Sequence, residues 1–267
     1  MSDTDLALIQ SVIEQTQQDA DQFAGILRAR RIPHLSYSQV SAVEFCQYRF
    51  YLEYVALVTL DPVPLYFTKG KLLHQLIASS YRQTALGQPV DLEEYNALID
   101  GQLPEDQRRH LRNAMQVHFE QRLPDVHVVS IEKPFAMSIA ADLPPCVGVI
   151  DLVLERRGAY ILIDHKTGHD FYPEDELQMA IYVEYMQRQL GEVACEFYYD
   201  HYRWVTNLSR IRKPPFLRRQ IRLPASYWQD ALLRMRRAYQ LIQQIKDGKK
   251  PSRSGECFRC PYRSLCQ

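Results

Sequence analysis

Apolar residues recur at helical spacing through residues 4–31, between polar positions rich in Gln and Asp. They predict a peripheral helix or a pair of helices, ended by Pro33. Ser36-Tyr37-Ser38 then offers N-cap hydroxyls for a helix predicted to run through Cys46 to about Val55. Val40, Val43, Phe50 and Tyr54 form its core face. Asp61-Pro62-Val63-Pro64 reads as a loop. The spacing predicts a helix over Gly70–Arg82, with His74 turned inward beside Leu73 and Ile77, and two more over 91–100 and 104–121. From Val126 the signal changes to strand. Val126–Ile131, Val147–Leu154 and Ala159–Ile163 are short, β-branched and bounded by turn residues, and Arg156-Arg157-Gly158 predicts a hairpin turn. A helix is predicted over Glu174–Arg188, an aromatic-rich strand over Val193–Val205, and its antiparallel neighbour over Phe216–Arg222. A long amphipathic helix, Ala225–Lys246, is broken by Gly248 before a cysteine-rich tail. The pattern predicts an α/β protein with a mixed central sheet flanked by helices. No internal repeat or low-complexity tract interrupts it.

Composition narrows the picture in three ways. Hydrophobic residues make up 46% of the 267, enough for a substantial core. No run of about 18 apolar residues occurs, so a membrane span is not expected. The opening Met-Ser-Asp-Thr-Asp-Leu lacks a basic, apolar leader, and a cytoplasmic location is expected. There thiols stay reduced, and clustered cysteines bind metal more often than they form disulfides.

The formal net charge of zero conceals an asymmetry. Residues 201–267 carry 16 Lys or Arg against three acids, Asp230, Asp247 and Glu256; residues 1–200 carry 16 basic and 29 acidic residues. The two parts are therefore +13 and −13. A basic segment of that size suits a polyanion such as nucleic acid, or ion pairs with the acidic remainder. Tyr199, Tyr202, Trp204, Tyr227 and Trp228 interleave with these charges. They suit stacking on unpaired bases or, equally, an antiparallel core strand.

Two apolar strands end in carboxylates. Asp151 follows Gly148-Val149-Ile150, and Asp164 follows Tyr160-Ile161-Leu162-Ile163. A tight hairpin joins these strands and lets the carboxylates converge. Paired hard oxygen ligands suit Mg²⁺ or Mn²⁺. Lys166 lies two residues after Asp164, on the same face of a strand. An ammonium there can orient an attacking water and stabilise charge developing on a phosphate.

Cys257, Cys260 and Cys266 close the chain, and Cys46 is their fourth partner from the other end. Four thiolates so arranged read as a zinc or iron–sulfur clasp that ties the tail to the early helix. Cys146 and Cys195 sit in apolar strand contexts as ordinary buried thiols.

Gly148-Val149-Ile150-Asp151-Leu152-Val153, followed by Leu162-Ile163-Asp164-His165-Lys166-Thr167-Gly168, resembles the active-site core of PD-(D/E)XK nucleases of the RecB type. Gly70-Lys71-Leu72-Leu73-His74 is similar to that family's upstream Gly-x-x-x-His motif, and Gln178-Met179-Ala180-Ile181-Tyr182 to its Gln-x-x-x-Tyr motif. The four cysteines are similar to the iron–sulfur subgroup, which includes CRISPR-associated RecB-like exonucleases and AddB-type nuclease domains. The resemblance spans roughly residues 36–267, leaving 1–35 as a helical extension that matches nothing. It implies a restriction-endonuclease-like core with the cysteine clasp appended. It makes His74, Asp151, Asp164 and the carbonyl of His165 metal ligands and Lys166 catalytic, with Gln178 and Tyr182 lining the site. Glu132 matches an acidic position of the first core strand. The resemblance favours a 4Fe–4S cluster over zinc on Cys46, Cys257, Cys260 and Cys266. Ile150 stands where the motif has proline, and Asp164 where many members have glutamate.

The implied activity is metal-dependent DNA hydrolysis. An exonuclease acting on single-stranded ends is expected, with protein partners in a repair, recombination or CRISPR-adaptation complex. A non-catalytic nucleic-acid-binding subunit and a zinc-stapled scaffold are the alternatives.

Overall fold

A computed structural model describes the chain apart from residues 1, 17–18, 61–64, 100–102, 172–174, 192–194, 255–256, 258–259 and 267, and the side chains of 2–3 and 65–67. The loop predicted at 61–64, and the predicted first residues of the 174–188 helix and the 193–205 strand, lie outside the described residues.

The amphipathic opening forms a pair of helices, α1 (Ser2–Gln15) and α2 (Ala20–Ala29). Asp19 caps α2 by accepting from the Gln22 backbone N–H at 2.8 Å. Ile9, Val12, Phe23, Leu27 and Ile32 pack with Val147 and Ala136, so the pair covers one corner of the sheet. Strand β1 (Leu35–Ser36) leads into α3 (Tyr37–Phe45), capped by the Ser36 hydroxyl. The helix predicted to continue to Val55 breaks at Cys46, whose backbone is extended at φ −165° and ψ 116°. It resumes as α4 (Gln47–Phe50) and then widens to a π-helical turn over Tyr51–Val55. The break is local. It turns the thiol of Cys46 out of the helix row and toward the C-terminal tail, which supplies Ser252 O as acceptor for the Tyr48 N–H at 3.0 Å.

Helix α5 (Leu65–Ala85) starts earlier than its sequence signal, and α6 (Leu92–Ile99) and α7 (Glu105–Gln121) follow. The strands are β2 (His127–Met137), β3 (Cys146–Arg156), β4 (Ala159–Gly168), β5 (Cys195–Arg203) and β6 (Phe216–Ile221); α8 (Glu176–Leu190) joins β4 to β5, and α9 (Tyr227–Lys246) follows β6. The sheet runs β1-β3-β4-β5-β6, with β2 antiparallel to β3. Strand β2 reaches through Pro134 because it lies at an edge, where a missing N–H costs no ladder bond. Strands β3 and β4 form the predicted hairpin, and its turn takes positive φ at Arg157 (53°) and Gly158 (81°), as a two-residue hairpin requires. The β4-α8-β5 unit is a parallel crossover, and β6 returns antiparallel as predicted.

Two apolar layers sandwich the sheet. Helices α3, α8 and α9 close one face over Ile150, Val153, Leu162 and Tyr199. Helices α5, α6 and α7 close the other over Leu152, Leu154, Ile161, Ile163 and Tyr202. Tyr199, Tyr202 and Trp204 are core residues, which decides against their acting as base-stacking surfaces.

Much of the basic segment is spent internally. Arg218 pairs with buried Asp200 at 2.6 Å, Arg236 with Asp142 at 2.7 Å, and Lys213 with Asp170 at 2.7 Å. Arg234 bridges Glu44 and Asp175. Each pair joins the basic C-terminal quarter to the acidic remainder, so the segregated charges partly knit the two together.

Candidate active site

The ladder between β3 and β4 closes at Leu152 and Ile163. Asp151 and Asp164 are the next residues outward, where the strands part. The hairpin register alone therefore brings the two carboxylates to one opening. Helix α5 crosses above it, and a Cβ at Gly70 would stand 3.2 Å from Thr167 Oγ1, so glycine allows this close approach. One turn later His74 places Nδ1 3.5 Å from Asp151 Oδ2. The His165 backbone N–H donates to the same oxygen at 2.8 Å.

Asp164 faces the α8 side. Its Oδ1 accepts from Gln178 Nε2 at 2.8 Å, and its Oδ2 lies 2.6 Å from Lys166 Nζ. Gln178 Oε1 accepts from Lys166 Nζ at 2.7 Å, and its amide nitrogen also reaches the Tyr182 hydroxyl at 2.9 Å. That hydroxyl donates to Val149 O at 2.7 Å. Gln178 thus holds the lysine and the carboxylate together, and Tyr182 ties this arrangement to β3. The four-residue spacing of Gln178 and Tyr182 puts both on the buried face of α8.

Electrostatics follow from burial. Asp151 is pushed up to about 6, first by burial and then by the charge of Asp164; His74, the His165 N–H and Lys166 oppose the rise. Burial favours neutral Lys166, but the Asp164 charge and contact outweigh it and hold the ammonium above its ordinary range. Burial, then Asp164 and Asp151, keep the Tyr182 hydroxyl protonated. The His165 ring is neutral, lowered by burial and then by His74 and His118. It points to the α5 side, its centroid 5.8 Å from that of Tyr202 and 6.0 Å from that of His74. Both of its ring nitrogens lack hydrogen-bond partners among the described residues. A small cavity there is lined by His74, Glu132, Asp151 and His165. Glu132 holds a left-handed backbone, φ 47°, unusual for a non-glycine strand residue, and binds Arg82 at 2.5 Å.

The donor set fits a hard divalent cation. Asp164 Oδ2 is buried and has no aligned hydrogen bond, only the ammonium charge beside it. Asp151 is destabilised as an anion first by burial and then by the Asp164 charge, a condition that a cation relieves. Among the described residues no three His, Cys, Asp or Glu side chains stand together as a ready cation-holding group. The carboxylates are instead turned apart, Asp151 onto the His165 N–H and Asp164 onto Lys166 and Gln178.

At the far end of α3 the tail docks on the Cys46 turn. Ser252 N donates to Gln47 Oε1 at 3.2 Å, and Arg253 stacks 4.8 Å over Tyr48. The Tyr262 hydroxyl donates to Val58 O at 3.4 Å. Burial raises the Cys46 thiol, but backbone hydrogen bonds from the Ser254, Arg49 and Tyr48 region leave it below its ordinary value. The Cys266 thiol is raised by burial and then by charge on Cys260, against the opposing charge of Arg253. Among the described residues no three of Cys46, Cys257, Cys260 and Cys266 stand together as a ready metal-holding group.

Sequence reading missed Asp175 and Arg234. Asp175 caps α8 by accepting from Leu177 N at 2.9 Å, and the Tyr199 hydroxyl donates to its carbonyl at 3.1 Å. The Asp before an apolar helical run is a legible cap signal; the Arg234 contact, 59 residues away, is not.

The sequence profile of the PD-(D/E)XK nuclease superfamily matches residues 34–267, and the chain belongs to that superfamily. Its members are nucleases, so the substrate class is nucleic acid. No curated protein matches the chain. A crystal structure of a candidate exonuclease from Eubacterium rectale is similar at a TM-score of 0.53 and 13% identity, over 88% of this chain and 90% of that one. At that identity the likeness is one of fold. The crystal structure of SSO0001 aligns at a TM-score of 0.33 and 14% identity, over 73% of this chain and 84% of that one. Among the described residues no helix is long and apolar enough to cross a membrane.

Proposed function

We propose that the protein is a metal-dependent DNA nuclease acting on single-stranded ends, with a structural 4Fe–4S cluster on Cys46, Cys257, Cys260 and Cys266. The observation that carries the reading is the Asp164–Gln178–Lys166 network beside Asp151, at the point where β3 and β4 part. His74, Asp151, Asp164 and the His165 carbonyl would hold Mg²⁺ or Mn²⁺. When bound, such an ion polarises a phosphoryl oxygen and lowers the pKa of a bound water.

The chain's own groups supply the rest. Lys166 presents a permanent positive charge toward the opening, where it orients water and offsets charge growing on a phosphate. Gln178 fixes the lysine rotamer through one hydrogen bond and Asp164 through another. Tyr182, neutral and anchored to Val149 O, prevents Gln178 from flipping. The His165 N–H orients Asp151. The clasp holds the tail on the Cys46 turn and is structural in this reading. A place in repair, recombination or CRISPR adaptation follows from the resemblance of the motifs.

The test is an anaerobic visible spectrum followed by cleavage of end-labelled single strands with Mn²⁺, alongside Asp164→Ala. A brown protein whose cleavage vanishes in Asp164→Ala supports the reading. A colourless protein with stoichiometric zinc keeps the clasp and changes its metal. A protein that binds but never cuts is a nucleic-acid-binding subunit.

A further inference from the structure

Arg234, on α9, makes five hydrogen bonds to two carboxylates that lie far apart in sequence. Its Nε meets Glu44 Oε1 at 2.8 Å and its Nη2 meets Glu44 Oε2 at 2.6 Å. Its Nη1 and Nη2 meet Asp175 Oδ1 and Oδ2 at 2.5 and 2.6 Å. Glu44 lies two residues before Cys46, on the helix that ends at the clasp. Asp175 is the N-cap of α8, and Gln178 stands in the first turn behind it. The guanidinium is half-buried, and bidentate carboxylate pairs of this kind are directional as well as attractive.

Asp175 is held from a second side. The Tyr199 hydroxyl donates to its carbonyl at 3.1 Å, and Lys166 Nζ lies 5.2 Å over the Tyr199 ring. The start of α8 is thus fixed by Arg234 on the carboxylate and Tyr199 on the carbonyl. Gln178 reaches Lys166 and Asp164 only if that turn is in place.

We propose that Arg234 is a positioning residue: it locks the N-cap of α8 to the cysteine-bearing helix and thereby sets Gln178 against the catalytic lysine. This rests on the nuclease reading above. Lysine cannot replace it, because one ammonium cannot present a planar fork to two carboxylates at once.

The experiment compares Arg234→Met, Gln178→Ala and the double variant. Arg234→Met should lower kcat about tenfold, with KM within about twofold, because the lysine is misplaced and not removed. The double variant should be no slower than Gln178→Ala alone, since both changes break one link. Arg234→Lys should recover little. Additive losses, or an unchanged kcat in a folded Arg234→Met protein, overturn the proposal. If Arg234→Met fails to fold, Asp175→Asn keeps a cap acceptor, loses the ion pair and should show the same non-additivity. Asp164→Ala in parallel separates the two readings: if it cuts like wild type, the active-site assignment fails. Hydrogen exchange, which needs no cleavage, then still decides the positioning. Faster exchange confined to the first turn of α8 in Arg234→Met supports it, and unchanged exchange overturns it.

Discussion

The backbone N–H of His165 donates to Asp151 Oδ2 at 2.8 Å, so the strand that carries Asp164 also aims the other carboxylate. A motif of three residues on β4 therefore does two jobs. Asp164 and Lys166 face α8, while the peptide between them holds Asp151 in place from across the hairpin.

Replacing Asp151, Asp164 or Lys166 with alanine should each lower cleavage by about a hundredfold or more while the fold persists. His74→Ala should act through cation affinity, so excess Mn²⁺ should restore part of its activity. Rates on labelled single strands across a Mn²⁺ titration check both. Near-wild-type cleavage by any of the first three, free of contaminating nuclease, would refute the assignment.

The stability of cation-free protein should depend on Asp151. Its folded pKa is raised from 3.8 to about 6. The unfolded chain releases this proton more readily, so the contribution is full below the unfolded value and is lost as pH rises through about 6. Thermal melts across this window should show the decline, and Asp151→Asn should flatten it. Added Mn²⁺ should stabilise more as pH rises, because the proton and the cation compete for one carboxylate.

The basic segment divides into structural and available charges. Arg218→Ala should cost about 3–5 kcal/mol, since it strands buried Asp200. Exposed Arg210, Arg212 and Arg222 are the better candidates for phosphate contact. Their replacement should weaken DNA binding for all sequences and lower the salt slope by about one counterion per contact. Binding isotherms at several salt concentrations, set beside denaturant melts, separate the two groups.

Replacing Cys46, Cys257, Cys260 or Cys266 with serine should bleach the visible spectrum of protein purified without oxygen. It should also release the tail from the Cys46 turn, because ligation supplies much of a small clasp's folding energy. Proteolysis of the 250–267 segment should accelerate in the same variants.

Gly148→Ala should destabilise the protein by about 1–3 kcal/mol. A Cβ there would come within 2.6 Å of the Phe135 ring, which stacks on Tyr185 at 4.4 Å and meets Tyr182 edge-on at 5.9 Å. Because Tyr182 anchors Gln178, activity should fall further than global stability explains. Chemical denaturation and kcat measured on the same preparation test this.

What the sequence determined by itself is local and periodic. The strand alternation around Gly148–Val153 and Ala159–Ile163, with a turn at Arg157-Gly158, was enough to place Asp151 beside Asp164, because a two-residue hairpin allows few registers. The Asp164–Lys166 spacing likewise put both side chains on one face. The helical extension, the crossover helix and the antiparallel return of β6 were legible for the same reason. The break at Cys46 was not, since nothing in Glu44-Phe45-Cys46-Gln47 opposes a continuous helix; contacts with Ser252, 206 residues away, accompany it. Nor could the basic quarter reveal which arginines are spent on Asp200, Asp142, Glu44 and Asp175. Charge composition records how many ions a chain carries. Only tertiary packing brings a distant carboxylate to within 3 Å of one guanidinium and leaves another in water.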